Sequence, residues 1–469
     1  MKNFSSHYRG ICFAIVSLLF MSAIGAQSNA LIGKNLSTKH PALNESFAQY
    51  EVFELDIKTL QALTKSGQPF TFSIQLEQEL WKVQLEHNDL RGPNYREVAM
   101  TDNGLEILPP RPNITFKGRV GAGDARFTIT DDYMIARLER DGEVFYLEPL
   151  SRMIDGFPKN QYVYFEVSDI LSDPSLECIH NSGKRHLLPE PDAPKGTDPL
   201  KMMACMDVEL ATAGDFGMFN KYGSVVAVNN FILGVTNMIE PLYSVFNLQF
   251  VIVDQFVATS MASDPFTSST EAFNLLDSFR PWAGANFTTH DLGQLWVTRD
   301  IRGCNDDDDD DISDNFGLIG CADAIGDVCG SNRYYVCEDF SNGGTPVNCM
   351  RNLSAHEIGH VFNGVHSEGG GASDIMGPSI DCTETAFSAG NITRMQSHIN
   401  SRNCLAECGC SIDPDGPAIT CGTFSMEFDR CPSPLGPNTP DGMWFPVGGD
   451  GMFDVAAGGS SIITVDLNG

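Results

Sequence analysis

The segment HEIGHVFNGVH, running from His356 to His366, decides how the rest of the chain is read. Met350, Leu353, Val361 and Phe362 give its surroundings one apolar face, so the spacing predicts a helix from about Asn348 to Asn363. His356 and His360 then stand one turn apart on the same side, close enough to share one ion. Glu357 lies beside them and is not needed as a ligand, which leaves its carboxylate within reach of a water at that ion. Gly364 is expected to take the left-handed conformation that ends the helix, so that His366 returns from another direction. Three neutral imidazoles leave the fourth position of a tetrahedral zinc ion open, as in a reactive rather than a closed structural site. A bare HExxH arises by chance on exposed helices, but the added glycine and third histidine make chance a poor account. Imidazole donors suit a single Zn²⁺ well, although ligand type alone admits other divalent ions.

Working upstream, Met206, Val208 and Leu210 alternate like a strand, and Val225, Val228, Ile232, Val235, Ile239 and Leu242 recur at helical spacing. LQFVIV (248–253) and DLGQLWVT (291–298) read as strands. Ser268 and Glu271 form a capping box ahead of Ala272, Leu275, Leu276 and Phe279. Helices and strands therefore mix over 201–410, the expectation for an α+β catalytic domain of ordinary size. Residues 45–170 are mostly β: Phe70, Phe72, Ile74 and Leu76 alternate with polar residues, as do Trp81, Val83 and Leu85. Asp141-Gly142 between two apolar runs is a hairpin signal. A polar, proline-rich stretch from His186 to Pro199 follows Lys184-Arg185 and reads as an exposed linker open to cleavage. The expected organisation is a signal peptide over 1–26 and a β-rich prodomain over 27–200 with its linker at 186–200. The catalytic domain follows over 201–410, then a small Gly/Pro-rich β module over 411–469.

HExxHxxGxxH followed by a methionine turn resembles the metzincin metallopeptidases. The turn here is DIMGP, with Met376 ten positions after His366. Within that clan the stretch from Cys205 to Cys408 is most similar to the adamalysin (reprolysin) group. The similarity is carried by HDLGQLWVTRDI (290–301), GLIGCADAIGDVCG (317–330) and FSAGNITRMQSHI (387–399). FKGRV (116–120) and VFYLEPL (144–150) loosely resemble that group's propeptide. The resemblance implies a metzincin-like fold, with a mixed twisted sheet, an active-site helix and Met376 as an apolar floor beneath the histidines. Two departures stand out: Ser367 follows the third histidine where adamalysins usually carry Asp, and the connection to Met376 is short.

The function these features predict is a secreted zinc endopeptidase made as a latent zymogen, with Glu357 as general base and proteins or peptides as substrates. The rival expectation is a binding or adhesion protein that keeps a metalloprotease scaffold; the presence of Glu357 favours the enzyme. A net charge of −31, from 61 Asp plus Glu against 30 Lys plus Arg, argues against nucleic acid or anionic lipid as a partner. Lys2 and Arg9 precede an apolar run from Ile11 to Ile24 and small residues at Ala23, Gly25 and Ala26, the pattern of an export signal. The next most apolar stretch, Val225–Val253, is interrupted by Asn229, Asn230, Asn237 and Glu240, so no membrane span is expected. Nothing in the sequence speaks to oligomeric state.

Fourteen cysteines in an exported chain imply a disulfide framework. Setting aside Cys12 in the signal, the twelve from Cys205 onward can pair among themselves, which leaves Cys178 over. Two readings of Cys178 stand: a thiolate that fills the open zinc position until the prodomain leaves, or a disulfide to Cys205. The run Asp306–Asp311 reads as a solvated loop; the other reading, a Ca²⁺ loop, lacks the glycine turn and bidentate Glu. Asn-x-Ser/Thr acceptors occur at Asn35, Asn44, Asn113, Asn286, Asn352 and Asn391. His290 reads as structural and His398 as a solvated residue on the last helix.

Overall fold

The computed structural model describes residues 30–171, 205–303, 318–367 and 374–408, apart from 38, 77 and 342. Beyond these it describes short strands at 410–411, 420–421, 443–444 and 453–454. Cys178, the 186–200 linker, the Asp306–Asp311 run and the export signal lie outside the described residues. The chain splits into two compact units, Met1–Cys408 and Gly409–Gly469.

In the first half the strands are β1 (Ala30–Asn35), β2 (Glu51–Glu54), β3 (Phe70–Leu76), β4 (Glu79–His87), β5 (Arg91–Thr101) and β6 (Gly104–Ile107). They continue as β7 (Thr115–Val120), β8 (Gly123–Ile129), β9 (Met134–Arg140), β10 (Glu143–Pro149) and β11 (Gln161–Glu166). Short helices α1 (Pro41–Ser46), α2 (Lys58–Thr64) and α3 (Leu150–Met153) lie among them. Nine of these strands close into a barrel in the order β1-β2-β11-β10-β9-β8-β7-β4-β3. Every neighbour in it is antiparallel except β1 and β3, whose parallel pairing makes the closure. Alternation fills the interior: Phe53, Phe72, Trp81, Phe116, Phe127 and Leu138 are buried, while Leu80 and Lys82 face out. The guanidinium of Arg140 lies 4.0 Å from the centre of the Trp81 ring. The hairpin expected at Asp141-Gly142 joins β9 to β10, and both residues take the positive φ (57° and 88°) that a primed turn requires.

After Cys205 come β12 (Met206–Gly214), α4 (Phe216–Tyr222), α5 (Val225–Tyr243), β13 (Leu248–Ala258), α6 (Ala272–Asn286), β14 (Leu292–Val297), β15 (Gly320–Ala322) and β16 (Tyr334–Glu338). Then follow α7 (Val347–Val361), α8 (Ala389–Asn400) and β17 (Ala406–Glu407). A second sheet runs β15-β16-β14-β12-β13-β5-β6, with β17 also pairing β12. Its centre is parallel, and all six residues of β14 are buried, as expected for a strand covered on both faces. In the second unit, β18 (Cys410–Ser411) pairs β19 (Thr420–Cys421), and β20 (Met443–Trp444) pairs β21 (Phe453–Asp454).

This architecture corrects the expected fold class, an α+β metzincin-like domain between a β-rich prodomain and a small β module. Strands dominate: nine close into a barrel, and β5 leaves that barrel's sequence to pair in parallel with β13 and complete the second sheet. Arg96 on β5 fixes the join with an ion pair of 2.6 Å to Asp254, which is wholly buried. The physical reason for the miss is that alternation predicts strands but not their partners. Both the β1–β3 closure and the β5–β13 pairing join residues far apart in sequence.

Two of the polar residues that interrupt α5 are docking groups. Asn237 donates to the carbonyls of Phe116 and Phe127 on the barrel, and Glu240 accepts from Asn88 and Arg126. The stretch Val225–Phe246 is long and apolar enough to cross a membrane, but 72% of its most apolar window is buried within the fold.

At the other end of this contact, β10 reaches α7. Pro346, the residue before α7, caps nothing with its side chain; instead Glu148 on β10 accepts from the Val347 N–H at 3.0 and 3.2 Å. Burial pushes the Glu148 carboxyl up to about 8, with the Val347 N–H and Arg152 working the other way. The folded state thus holds this proton more tightly than the unfolded one. The contribution is fully present below the ordinary value of 4.5 and is lost as pH rises towards 8. Glu148→Gln, which cannot ionise, is expected to flatten that decline by on the order of a few kcal/mol. Urea midpoints of both full chains across that range test it, and parallel pH curves would refute it.

Candidate metal centre

Helix α7 carries the two helical histidines deep into the fold. All fifteen of its residues are buried, with β15 and β16 on one side, α5 on another and the barrel over its N-terminal turns. Its depth is set by specific bonds: Tyr243 donates to the Ala355 carbonyl at 2.7 Å, and Gln294 donates to Ser354 at 2.9 Å. A disulfide from Cys349 to Cys382 ties its first turn to the segment after the DIMG turn.

One ring nitrogen from each of His356, His360 and His366 lies within 4.8 Å of the others. His356 Nε2 and His366 Nε2 are 3.2 Å apart. The remaining nitrogens set the tautomers. His356 Nδ1 lies 2.7 Å from the Ile375 carbonyl and His360 Nδ1 lies 3.0 Å from the Gly364 carbonyl. A carbonyl oxygen can only accept, so each Nδ1 carries the proton and each Nε2 presents a lone pair. Burial lowers His356 to about 3, with His366 adding to the effect, and burial lowers His366 to about 4. Three neutral imidazoles with converging lone pairs can hold a metal ion, and the donor set fits a borderline cation such as zinc.

Glu357, wholly buried, follows His356 on the same helix, and its carboxylate lies against the edge strand β15. A Cβ at Gly320 would run into Glu357 Oε1. Met376 is fully buried beneath the motif's glycines: a Cβ on Gly359 would meet its Sδ, and one on Gly364 would lie 3.2 Å from its Cε. The left-handed residue that ends the helix is Asn363, with φ of 76°, and not Gly364 as expected. Gly364 is required for space, since a Cβ there would also stand 2.8 Å from the Gly359 carbonyl oxygen. The chain then turns and presents His366 from outside the helix.

Two groups around this turn, Asp374 and Asn391, carried no catalytic or metal-binding signal in the sequence. Asp374 is 2% exposed and its carboxylate accepts from Ser367 Oγ, the Met376 N–H, the Ser388 N–H and Asn391 Nδ2. Burial works to raise its pKa, but the bonds from Ser367, Ser388, Asn391 and Met376 outweigh it and hold the carboxyl low. Asn391 was legible only as a glycosylation acceptor. The structure buries it and uses its amide internally, and it does the same with Asn352, which donates to the Asp381 and Glu384 carbonyls.

Other residues lie elsewhere. His290 is buried and bonded to the Thr288 carbonyl. His398, expected to be solvated, is 2% exposed and packed against Arg402, and burial lowers it to about 3. Helix α6 begins at Ala272 without the Ser268–Glu271 box; Ser269 Oγ instead accepts from the Glu271 N–H. Asp291, Cys329 and Cys404 also cluster, but the two cysteines are joined in a disulfide. Cys205 is bonded to Cys408, which removes the reading that ties it to Cys178. Cys337 is a free, buried thiol. The twelve cysteines from Cys205 onward therefore do not all pair among themselves, and parity no longer singles out Cys178.

No family model matches the sequence. The chain is similar to metalloproteinase-II from Bacteroides fragilis at 14% identity and a TM-score of 0.40, over 76% of this chain and 97% of that one. A likeness this distant identifies no narrower family.

Proposed function

We propose that the chain is a zinc-dependent endopeptidase, exported and made as a precursor. One observation carries the reading: three imidazoles converge, two of them with their tautomers fixed by backbone carbonyls, while a carboxylate, one residue along the same helix, stands outside their set. A zinc ion held by His356, His360 and His366 supplies Lewis-acid chemistry to a scissile carbonyl and a water. Glu357 takes a proton from that attacking water and returns it to the leaving amine, which lets one group serve both halves of amide hydrolysis. Met376 keeps the helix seated by filling the space that Gly359 and Gly364 leave. The export signal and the linker support a secreted precursor cut after Lys184-Arg185.

Digestion of an unfolded protein by the linker-cleaved chain, with and without chelator, tests the reading. Chelator-sensitive internal cleavage supports it; a folded, zinc-loaded chain inert on broad peptide libraries gives the site to a binding role instead. A narrower test uses Gly320→Ala, whose methyl must displace the Glu357 carboxylate. A misplaced base is expected to cost roughly 10²-fold in hydrolysis rate with zinc content unchanged. Wild-type rates in that variant would show that the carboxylate does not work from where it lies.

A further inference from the structure

His366 is the one histidine of the three that the helix does not position. His356 and His360 inherit their places from α7, whereas His366 follows the left-handed residue Asn363 on a non-helical arm. Something off the helix must hold that arm, and Asn391, Ser367 and Asp374 do so. Asn391 on α8 grips the residue before it, accepting from the Val365 N–H at 3.1 Å and donating to the Val365 carbonyl at 3.0 Å. On the other side, Ser367 donates its hydroxyl to Asp374, and its N–H reaches the Met376 carbonyl at 3.1 Å. Asp374 and Asn391 are joined at 3.0 Å. His366 is thus bracketed front and back by one bonded pair.

Asp374 reaches the second histidine as well. Its carboxylate accepts from the Met376 N–H at 3.2 Å and so braces the turn in which Ile375 presents the carbonyl that holds His356 Nδ1. It also accepts from the Ser388 N–H at 2.9 Å, at the start of α8. One buried carboxylate therefore links the His366 arm, the turn that orients His356 and the helix carrying Asn391. Four donors converge on it, more than a lone capping role at α8 needs. Position 367, next to the histidine, holds only the neutral serine that points at it.

We propose that Asp374, acting through Ser367 and Asn391, is a positioning residue that sets His366 and the His356 tautomer for metal binding. The proposal rests on the zinc reading above, and partners of this kind govern metal affinity by about 10–100-fold in other sites.

The test measures zinc dissociation constants by chelator competition, and the visible spectrum of the Co²⁺-substituted form, on the full-length chain. Asp374→Asn is expected to weaken zinc by about 10–100-fold and to shift the Co²⁺ bands. Ser367→Ala removes the link to the arm, with the 3.4 Å bond that Ser367 Oγ accepts from Asn391 Nδ2, and leaves the other three donors on Asp374. It is expected to weaken zinc roughly tenfold with little change in the metal-free melting temperature. Ser367→Asp added to Asp374→Asn returns a carboxylate from the opposite side of the same contact and is expected to recover part of the loss. Zinc affinity and Co²⁺ spectrum unchanged in Ser367→Ala overturn the proposal and leave Asp374 a structural residue, whether or not Asp374→Asn folds. A wild-type chain that binds no zinc overturns the metal reading itself, and that result appears in the reference measurement before any variant is examined.

Discussion

Glu357→Gln is expected to lower peptide hydrolysis by about 10²–10⁴-fold, the range over which a positioned acid–base group contributes, and to leave zinc binding near wild type. The imidazole nitrogens of His356, His360 and His366 cluster without it, so neutralising it removes no ligand. Glutamine keeps the shape of the buried side chain against Gly320, so a collapse of the helix is not the expected cause of any loss. A carboxamide cannot accept the proton that attack by water releases, and the rate falls for that reason alone. The measurement is a turnover assay on zinc-loaded, linker-cleaved protein, with metal content determined on the same sample. Turnover at the wild-type rate would remove Glu357 from the mechanism, and a loss of zinc along with rate would make it a structural residue.

Much of the candidate site was legible because its signal is local. Helical periodicity alone puts His356 and His360 on one face, and α7 runs from Val347 to Val361 where the apolar spacing predicts a helix near 348–363. The same holds for α5 and for the Asp141-Gly142 hairpin, each specified by residues a few positions apart. What sequence reasoning missed depends on contacts between distant segments. Barrel closure needs β1 beside β3, and the second sheet needs β5 beside β13, choices that no alternation pattern records. Nothing local marks Asp374, because its four donors come from 367, 376, 388 and 391, and its burial is visible only once α8 is in place. Cys337 defeats a parity argument for the same reason: a thiol buried on β16 needs no partner, and burial cannot be counted from spacing. His398 and Gly364 show the local limit. A period of 3.6 places His398 on the last helix but not against Arg402. A glycine near a helix end signals left-handed geometry even where, as here, its neighbour Asn363 adopts it and the glycine makes room for Met376.

Metal removal is expected to have the other large effect, on stability as well as on rate. An ion that binds only the folded chain stabilises it by on the order of 4 kcal/mol when present at a thousandfold excess over its dissociation constant. Chelation should therefore lower the unfolding midpoint together with activity, and added zinc should restore both. His360→Ala locates the effect. It removes one of three donors and the Nδ1 bond to the Gly364 carbonyl, but leaves the α7 packing and the Cys349–Cys382 bond intact. The variant should melt near the metal-free wild type and no longer respond to zinc, whereas Glu357→Gln should keep the full zinc-dependent shift while losing turnover. That crossed pattern separates a residue that holds the ion from one that moves a proton, which no single rate measurement can do. The assignment fails if His360→Ala keeps a wild-type zinc response, because two imidazoles alone would then suffice and the convergence of the third would have no consequence for binding.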